Sequence, residues 1–293
     1  MMPDILLLGS DGNVGWELQR ALAPLGNLTA CNRRDCDLND PDRIRGVIAA
    51  TEPDIIVNAG AYTAVDKAEQ EPDVAQRINA EAVQVIAECA RQRGALFAHY
   101  STDYVFDGLK AGSYIEADAT NPLSVYGCSK RLGEEAITSS GCRHLIFRTS
   151  WVFATRGANF AKTILRLAQE RETLRIIADQ WGAPTAAELI ADTTAHALRQ
   201  AYADRAPDGI YHLAAAGETN WYGYAEFAIE QARILGAALK VRRVEPIDTS
   251  EYPLPARRPL NSRLDTEKLR TTFGLTLPHW QYHVRRMLVE LQG

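Results

Sequence analysis

The 293-residue sequence has no run of 18 or more apolar residues, so no segment in it is built to cross a bilayer as a helix. It has no cationic leader ahead of an apolar stretch. Met1-Met2-Pro3-Asp4 runs straight into Ile5-Leu6-Leu7-Leu8, which predicts a cytoplasmic protein. Cysteine is scarce and unpaired: Cys31, Cys36, Cys89, Cys128 and Cys142 are odd in number and contain no CxxC spacing. That pattern argues against a disulfide framework and against a thiolate zinc site. Positive charge is not in excess either. A net charge of −5 gives no electrostatic attraction to nucleic acid or to an anionic membrane. No internal repeat or low-complexity segment interrupts the chain, and the expected partner is a small molecule.

With 46% hydrophobic residues the chain can bury a large core, as one big domain or two fused ones. Its first half alternates short apolar runs with stretches of helical spacing. Strands are predicted at 5–8, 28–31, 54–58, 95–100 and 144–148, and helices at 12–23, 41–50 and 73–93, with another opening at 126. This alternation predicts an α/β fold, a Rossmann-type doubly wound parallel sheet. Residues 1–150 are expected to bind a dinucleotide. Residues 151–293, with helices at 159–171, 186–203, 222–235 and 277–291, are expected to add a smaller mixed α/β substrate lobe, some segments returning to the sheet.

Gly9-Ser10-Asp11-Gly12-Asn13-Val14-Gly15 lies between the first strand and the first helix. Glycines there let the backbone turn tightly and approach a pyrophosphate seated at a helix N-terminus. Asp11 would repel phosphate and is expected to face away. At the end of strand two, where an acidic residue would bind a free ribose 2′-hydroxyl, the chain reads Asn32-Arg33-Arg34. Guanidinium groups suit a 2′-phosphate, so NADPH is expected, with NADH tolerated. Asp37 and Leu38 are candidates for holding the adenine. Asn58-Ala59-Gly60-Ala61 offers small residues where backbone passes close to the cofactor.

Thr102 falls at the carboxyl edge of strand four, where ligands bind in open α/β sheets. Tyr126 and Lys130 are one helical turn apart on one face. An ammonium about 4 Å from the phenol, at an effective dielectric of ~20, would favour the phenolate by ~4 kcal/mol. That equals about three pH units of acidity and would let Tyr126 exchange a proton with a carbonyl oxygen. Glycine loop, strand-end hydroxyl and Tyr/Lys pair occur in that order.

These motifs resemble the extended short-chain dehydrogenase/reductases and, within them, the dTDP-4-dehydrorhamnose reductase family. The resemblance runs end to end. It is carried by Gly9 to Leu18, Asn58 to Glu69 (with Tyr62), Ser101 to Phe106, Tyr126 to Lys130, Arg148-Thr149-Ser150-Trp151-Val152, Asp179 to Thr185, and Arg258 to Leu264. It implies reduction of the 4-keto group of a dTDP-4-keto-6-deoxy sugar, dTDP-4-dehydro-L-rhamnose, to dTDP-L-rhamnose. Tyr126 would protonate O4, Thr102 would bond the same oxygen, and Lys130 would hold the nicotinamide ribose. Thr63, Val65, Asp103 and Trp151 would line the sugar pocket, and Asn159 and Arg263 would meet the diphosphate. The resemblance also implies a homodimer, with a structural magnesium ion bound by Glu17, Glu188 and Glu290 where subunits meet. Two alternatives are a nucleotide-sugar epimerase and a non-catalytic dinucleotide-binding regulatory subunit. A 4,6-dehydratase would need Thr-Asp-Glu where this chain has Thr102-Asp103-Tyr104.

Overall fold

Apolar runs that can be buried on both faces form the interior of a parallel sheet. The computed structural model, which describes residues 2–291, builds such a sheet from β1 (Asp4–Leu8), β2 (Asn27–Cys31), β3 (Ile55–Asn58), β4 (Leu96–Thr102) and β5 (His144–Thr149). A sixth strand, Gly209–His212, joins from the second half of the chain. The spatial order is Gly209–His212, β5, β4, β3, β1, β2, with every pair parallel. The chain leaves β1 toward β2 on one side and returns to β3 on the other. The reversal opens a crevice at the carboxyl ends of the strands.

Alternate side chains fill opposite faces of the sheet. Ile5, Leu7, Val57, Ala98 and Phe147 pack on the side of α1 (Asn13–Leu22), with Leu18 and Leu22, and of the helix Ala187–Tyr202. Leu6, Leu8, Ile56, Phe97 and Ile146 pack on the side of α2 (Pro41–Thr51), with Ile44 and Ile48, and of the helix Ala82–Arg93. α2 begins where its sequence says it should. Asp40 accepts from the amides of Asp42 and Arg43 at 3.1 and 3.0 Å, and Pro41 occupies the first helical turn.

The expected helix over 73–93 is interrupted. It runs from an α-helical turn at Pro72–Gln76 through a π-helical turn at Arg77–Glu81 into Ala82–Arg93. The extra residue in that turn aims Asn79 inward, where its amide bonds the backbone of Tyr62 at 2.8 and 3.0 Å and the Ser129 hydroxyl at 3.0 Å. A wide turn of this kind often marks a functional site.

Beyond residue 150 the chain divides its work. The helix Ala187–Tyr202 packs against α1, and Gly209–His212 pairs with β5. Between and after them, Thr173–Ile177 pairs in parallel with Arg243–Ile247 beneath the helices Phe160–Glu170 and Trp221–Ile234. Ile164, Ala168, Leu174, Ala225, Ile229 and Val241 form a separate small core there. Among the described residues, no helix is long and apolar enough to cross a membrane.

Candidate active site

The carboxyl ends of the strands open on a cavity of about 620 Å³. Its walls include Gly9, Asp11, Gly12, Asn13, Val14, Arg33, Asp37, Leu38, Ala59, Gly60, Ala61, Tyr62, Thr63, Tyr126 and Lys130. Residues far apart in sequence thus meet because β1, β3 and β4 end side by side.

Close backbone approach explains the glycines. Gly9 has φ +78°, and a Cβ there would lie 2.5 Å from the Gly60 amide nitrogen. A Cβ on Gly15 would collide with the Gly9 carbonyl. The N-terminus of α1 has no side-chain cap and no acidic residue in its first turn, and a Cβ on Gly12 would meet only the Gly9 oxygen, at 3.5 Å. Free amides at a helix start, beside room for an anion, fit the pyrophosphate of a dinucleotide. Asp11 is exposed at the rim. Arg33 extends along the same wall, three-quarters exposed, its Nε 3.5 Å from Asp37. The Asn39 amide and then Arg33 hold the Asp37 carboxyl below its ordinary range. Ser10 and Asn32 do not line the cavity. Ser10 donates its amide to the Cys31 carbonyl and is buried, and the Asn32 side chain accepts from the amides of Arg34 and Asp35 in its own turn.

The reacting end lies at β4 and the start of the helix Val125–Ser140. Ser124 caps that helix, accepting from the Gly127 amide, and this sets Tyr126 in the first turn with Lys130 one turn on. Thr102 bears on the Tyr126 phenol from the end of β4, and its hydroxyl donates to Asp103 Oδ1 at 3.1 Å. Tyr104 presents its ring edge-on to Tyr126, with centroids 5.6 Å apart.

The acidity expected of Tyr126 is not what the structure gives. Burial raises the phenol to about 12, opposed by the Thr102 hydrogen bond and reinforced by Asp103. The Lys130 charge is turned elsewhere. Its Nζ lies 3.1 Å from His99 Nε2, and Glu134 is the charge that favours its ammonium form. Desolvation of a half-buried phenol in the cavity wall outweighs an ammonium that is not aimed at it. Tyr126 is therefore protonated at neutral pH, the form a proton donor requires. Burial also pushes Lys130 down to about 8, and it pushes Asp103 up to about 6 against the Ser262 and Thr102 hydroxyls.

Behind these groups sits a buried ion pair. Arg148 meets Glu134 through two hydrogen bonds, 2.8 and 2.6 Å, both side chains about 4% exposed. The Arg148 guanidinium also covers the Phe106 ring at 5.0 Å.

Other expected residues lie apart from the cavity wall. Val65 opens the short helix Val65–Ala68, whose Asp66 binds Arg258 at 2.7 Å and ties the loop to the lobe. Trp151 has φ +48°, a strained backbone for a bulky residue. Its ring stacks on Trp221 at 3.7 Å, beside Thr149 and Val152, which do line the cavity. Asn159 caps the helix Phe160–Glu170 through the Lys162 amide and donates to the Ala154 carbonyl. Arg263 is held by Asn261, Glu218 and the Ala111 carbonyl, and it lines a second hollow of about 440 Å³. Both polar groups expected at a diphosphate are thus spent on the protein itself. Glu17, Glu188 and Glu290 approach one another, since both others bear on the charge of Glu188. Arg286 bridges Glu188 and Glu290 at 3.0 and 3.1 Å, and Arg20 binds Glu17 at 3.5 Å. Among the described residues, no group of three acidic, histidine or cysteine side chains could hold a metal ion.

Sequence reasoning passed over Ser101 and Thr149, which line the cavity, and the buried polar groups His99, Asn79 and Glu134. Their one signal was polarity inside otherwise apolar strands and helices.

The geometry has close relatives. The chain matches the model of the RmlD substrate binding domain family over residues 2–292. It is 54% identical over 292 residues to the dTDP-4-dehydrorhamnose reductase of Escherichia coli K12, and 52% identical over 292 residues to that of Salmonella typhimurium, covering 98% of each chain in both cases. A solved dTDP-4-dehydrorhamnose reductase from Bacillus anthracis, in complex with NADP, superposes with a TM-score of 0.90 at 31% identity, covering 99% of this chain and all of the other. Thermus thermophilus UDP-glucose 4-epimerase in complex with NAD shares the fold at a TM-score of 0.81 and 17% identity, over 99% of both chains. Likeness of this extent, from end to end, makes this chain a member of the dTDP-4-dehydrorhamnose reductase family.

Proposed function

We propose that this protein reduces the 4-keto group of dTDP-4-dehydro-L-rhamnose to give dTDP-L-rhamnose, with NAD(P)H as reductant. The observation that carries this reading is a protonated Tyr126 on the wall of the cavity where the glycine loop, Arg33 and Lys130 also converge, with Thr102 bearing on its phenol. A bound nicotinamide dinucleotide supplies the hydride. The protein supplies everything else. The α1 amides, with Gly9, Gly12 and Gly60 leaving room, hold the pyrophosphate, and Leu38 and Asp37 face the adenine side. Thr102 and Tyr126 both donate to the sugar oxygen as it gains charge, and the Tyr126 proton passes to it. Lys130 orients the nicotinamide ribose. Thr63 on the cavity wall, with Val65, Asp103 and Trp151 from outside it, would select the sugar.

In this reading residues 1–150 bind the dinucleotide and 151–293 complete the sugar-nucleotide site, in a cytoplasmic homodimer. Asn159 and Arg263 would reach a diphosphate only by leaving their present partners. Magnesium at Glu17, Glu188 and Glu290 would require displacing Arg286, and no step of the reaction is routed through it. The epimerase alternative predicts turnover with no net use of reductant. The regulatory alternative predicts binding with none at all. Mixing NADPH and the keto-sugar nucleotide with the protein tests all three: the proposal requires stoichiometric loss of reduced cofactor and a 4-hydroxy product of single configuration.

NADPH is the preferred reductant in this proposal. Arg33→Ala should raise the Kd for NADPH about tenfold, the worth of roughly one charge-assisted hydrogen bond at an exposed site, and leave that for NADH unchanged. Isothermal titration with both cofactors measures this. Equal weakening of the two would remove Arg33 from 2′-phosphate recognition.

A further inference from the structure

β4 carries a histidine in the middle of an apolar run. His99 is 1% exposed, and its ring is sandwiched between two polar partners, Asn58 on β3 and Lys130 on the helix Val125–Ser140. The orientation of the Asn58 amide is fixed by a third group. The Gly60 N–H donates to one end of it at 3.0 Å, so that end is the carbonyl oxygen. The other end, the NH₂, therefore faces His99 Nδ1 at 3.4 Å. A donor on Nδ1 makes Nδ1 the acceptor, and a neutral imidazole with a bare Nδ1 carries its hydrogen on Nε2. That hydrogen points at Lys130 Nζ, 3.1 Å away. An ammonium at this place would set donor against donor, whereas a neutral amine would accept.

We propose that His99, aligned by Asn58, is a positioning residue whose Nε2–H donates to the Lys130 amine and so sets the protonation state of the side chain that serves Tyr126. The charges around Lys130 are accounted for. Glu134, on its own helix, favours the ammonium, but its carboxylate is already bound through both oxygens to Arg148 from β5. Asp103, beyond the end of β4, is bonded to Thr102 and bears on the phenol instead. Burial of both groups acts in the same direction. It pushes Lys130 down to about 8 and, with the Lys130 charge, keeps His99 well below its ordinary value, so the imidazole stays neutral. Before cofactor binds, Lys130 is held at the edge of its titration. A ribose hydroxyl arriving at Nζ as acceptor shifts that balance to the ammonium, the amine fraction taking its proton from solvent and the His99 N–H leaving its line.

The role assigned to Lys130 in turnover rests on the proposed reductase activity, but the test does not. In the full chain without cofactor, uniform ¹⁵N-histidine labelling reads the tautomer of each of the six histidines. At pH 9, above the Lys130 midpoint of about 8, His99 should have a protonated Nε2 and a bare Nδ1, and the opposite tautomer overturns the proposal. A ¹³Cε-lysine titration, with six lysines to resolve and Lys130→Met for assignment, gives the second reading. His99→Phe removes the donor and keeps a ring, so the Lys130 midpoint should rise by about one pH unit. A fall, the result expected if the imidazole accepts from an ammonium, would contradict it, as would no change. Should the Phe variant fail to fold, the wild-type tautomer still decides. If reductase activity is absent while the tautomer is as stated, the function is wrong and this arrangement stands.

Discussion

Tyr126→Phe should lower kcat for keto-sugar reduction by about 10²–10⁴-fold, the usual contribution of a positioned proton donor, with the Kd for NADPH changed by less than about twofold. The change removes one oxygen. The ring keeps its edge-on contact with Tyr104, and the helix keeps the Ser124 cap, so the site should hold its shape. What is lost is the phenol that Tyr126 presents on the cavity wall. Burial keeps that phenol protonated far above neutral pH. Steady-state kinetics with the reduced cofactor and the keto-sugar, together with a binding titration, separate the two effects. An unchanged kcat would take Tyr126 out of the mechanism.

The second large effect falls on stability. Glu134→Gln leaves the Arg148 guanidinium buried and without its counter-charge, which should cost about 3–5 kcal/mol. For a chain of this size that is a fall in Tm on the order of 10 °C. The pair is worth little over an apolar replacement, since taking two charges out of water offsets most of their attraction. Glu134→Leu with Arg148→Met should therefore recover much of the loss. Thermal unfolding of the single and double variants checks both statements. A Glu134→Gln variant as stable as the parent would mean that the guanidinium finds another acceptor, and its Nη1, which has no partner, would be the place to look.

Much of the dinucleotide half could be read from the sequence because its signals are local. Ile5 to Leu8 is an apolar run ending at a glycine, and Asp40-Pro41 is a helix start in plain view. The glycine loop and Arg33 follow the same rule, since strand and turn fix where they fall. The site's electrostatics did not follow from spacing. Tyr126 and Lys130 are one turn apart, yet the direction of the ammonium depends on His99, 31 positions earlier. Spacing along one helix could not reveal what β4 places opposite it. Asn79 escaped for a related reason, because the π-helical turn that aims it inward leaves no mark on a 3.6-residue period. In the second half, the lone polar residues Asn159 and Arg263 looked available for a ligand, but a helix start and a neighbouring Glu218 consume them. Availability is a property of the packed lobe, where short strands pair across long stretches of chain, and not of the residue.

Reduction with NADPH carrying deuterium on its transferable position tests the central claim most directly. The account predicts one deuterium at C4 of the product sugar for each cofactor oxidised, abolished to the same degree as turnover in Tyr126→Phe. A sugar that changes configuration while the cofactor pool stays reduced, or a protein that binds both and alters neither, would contradict it.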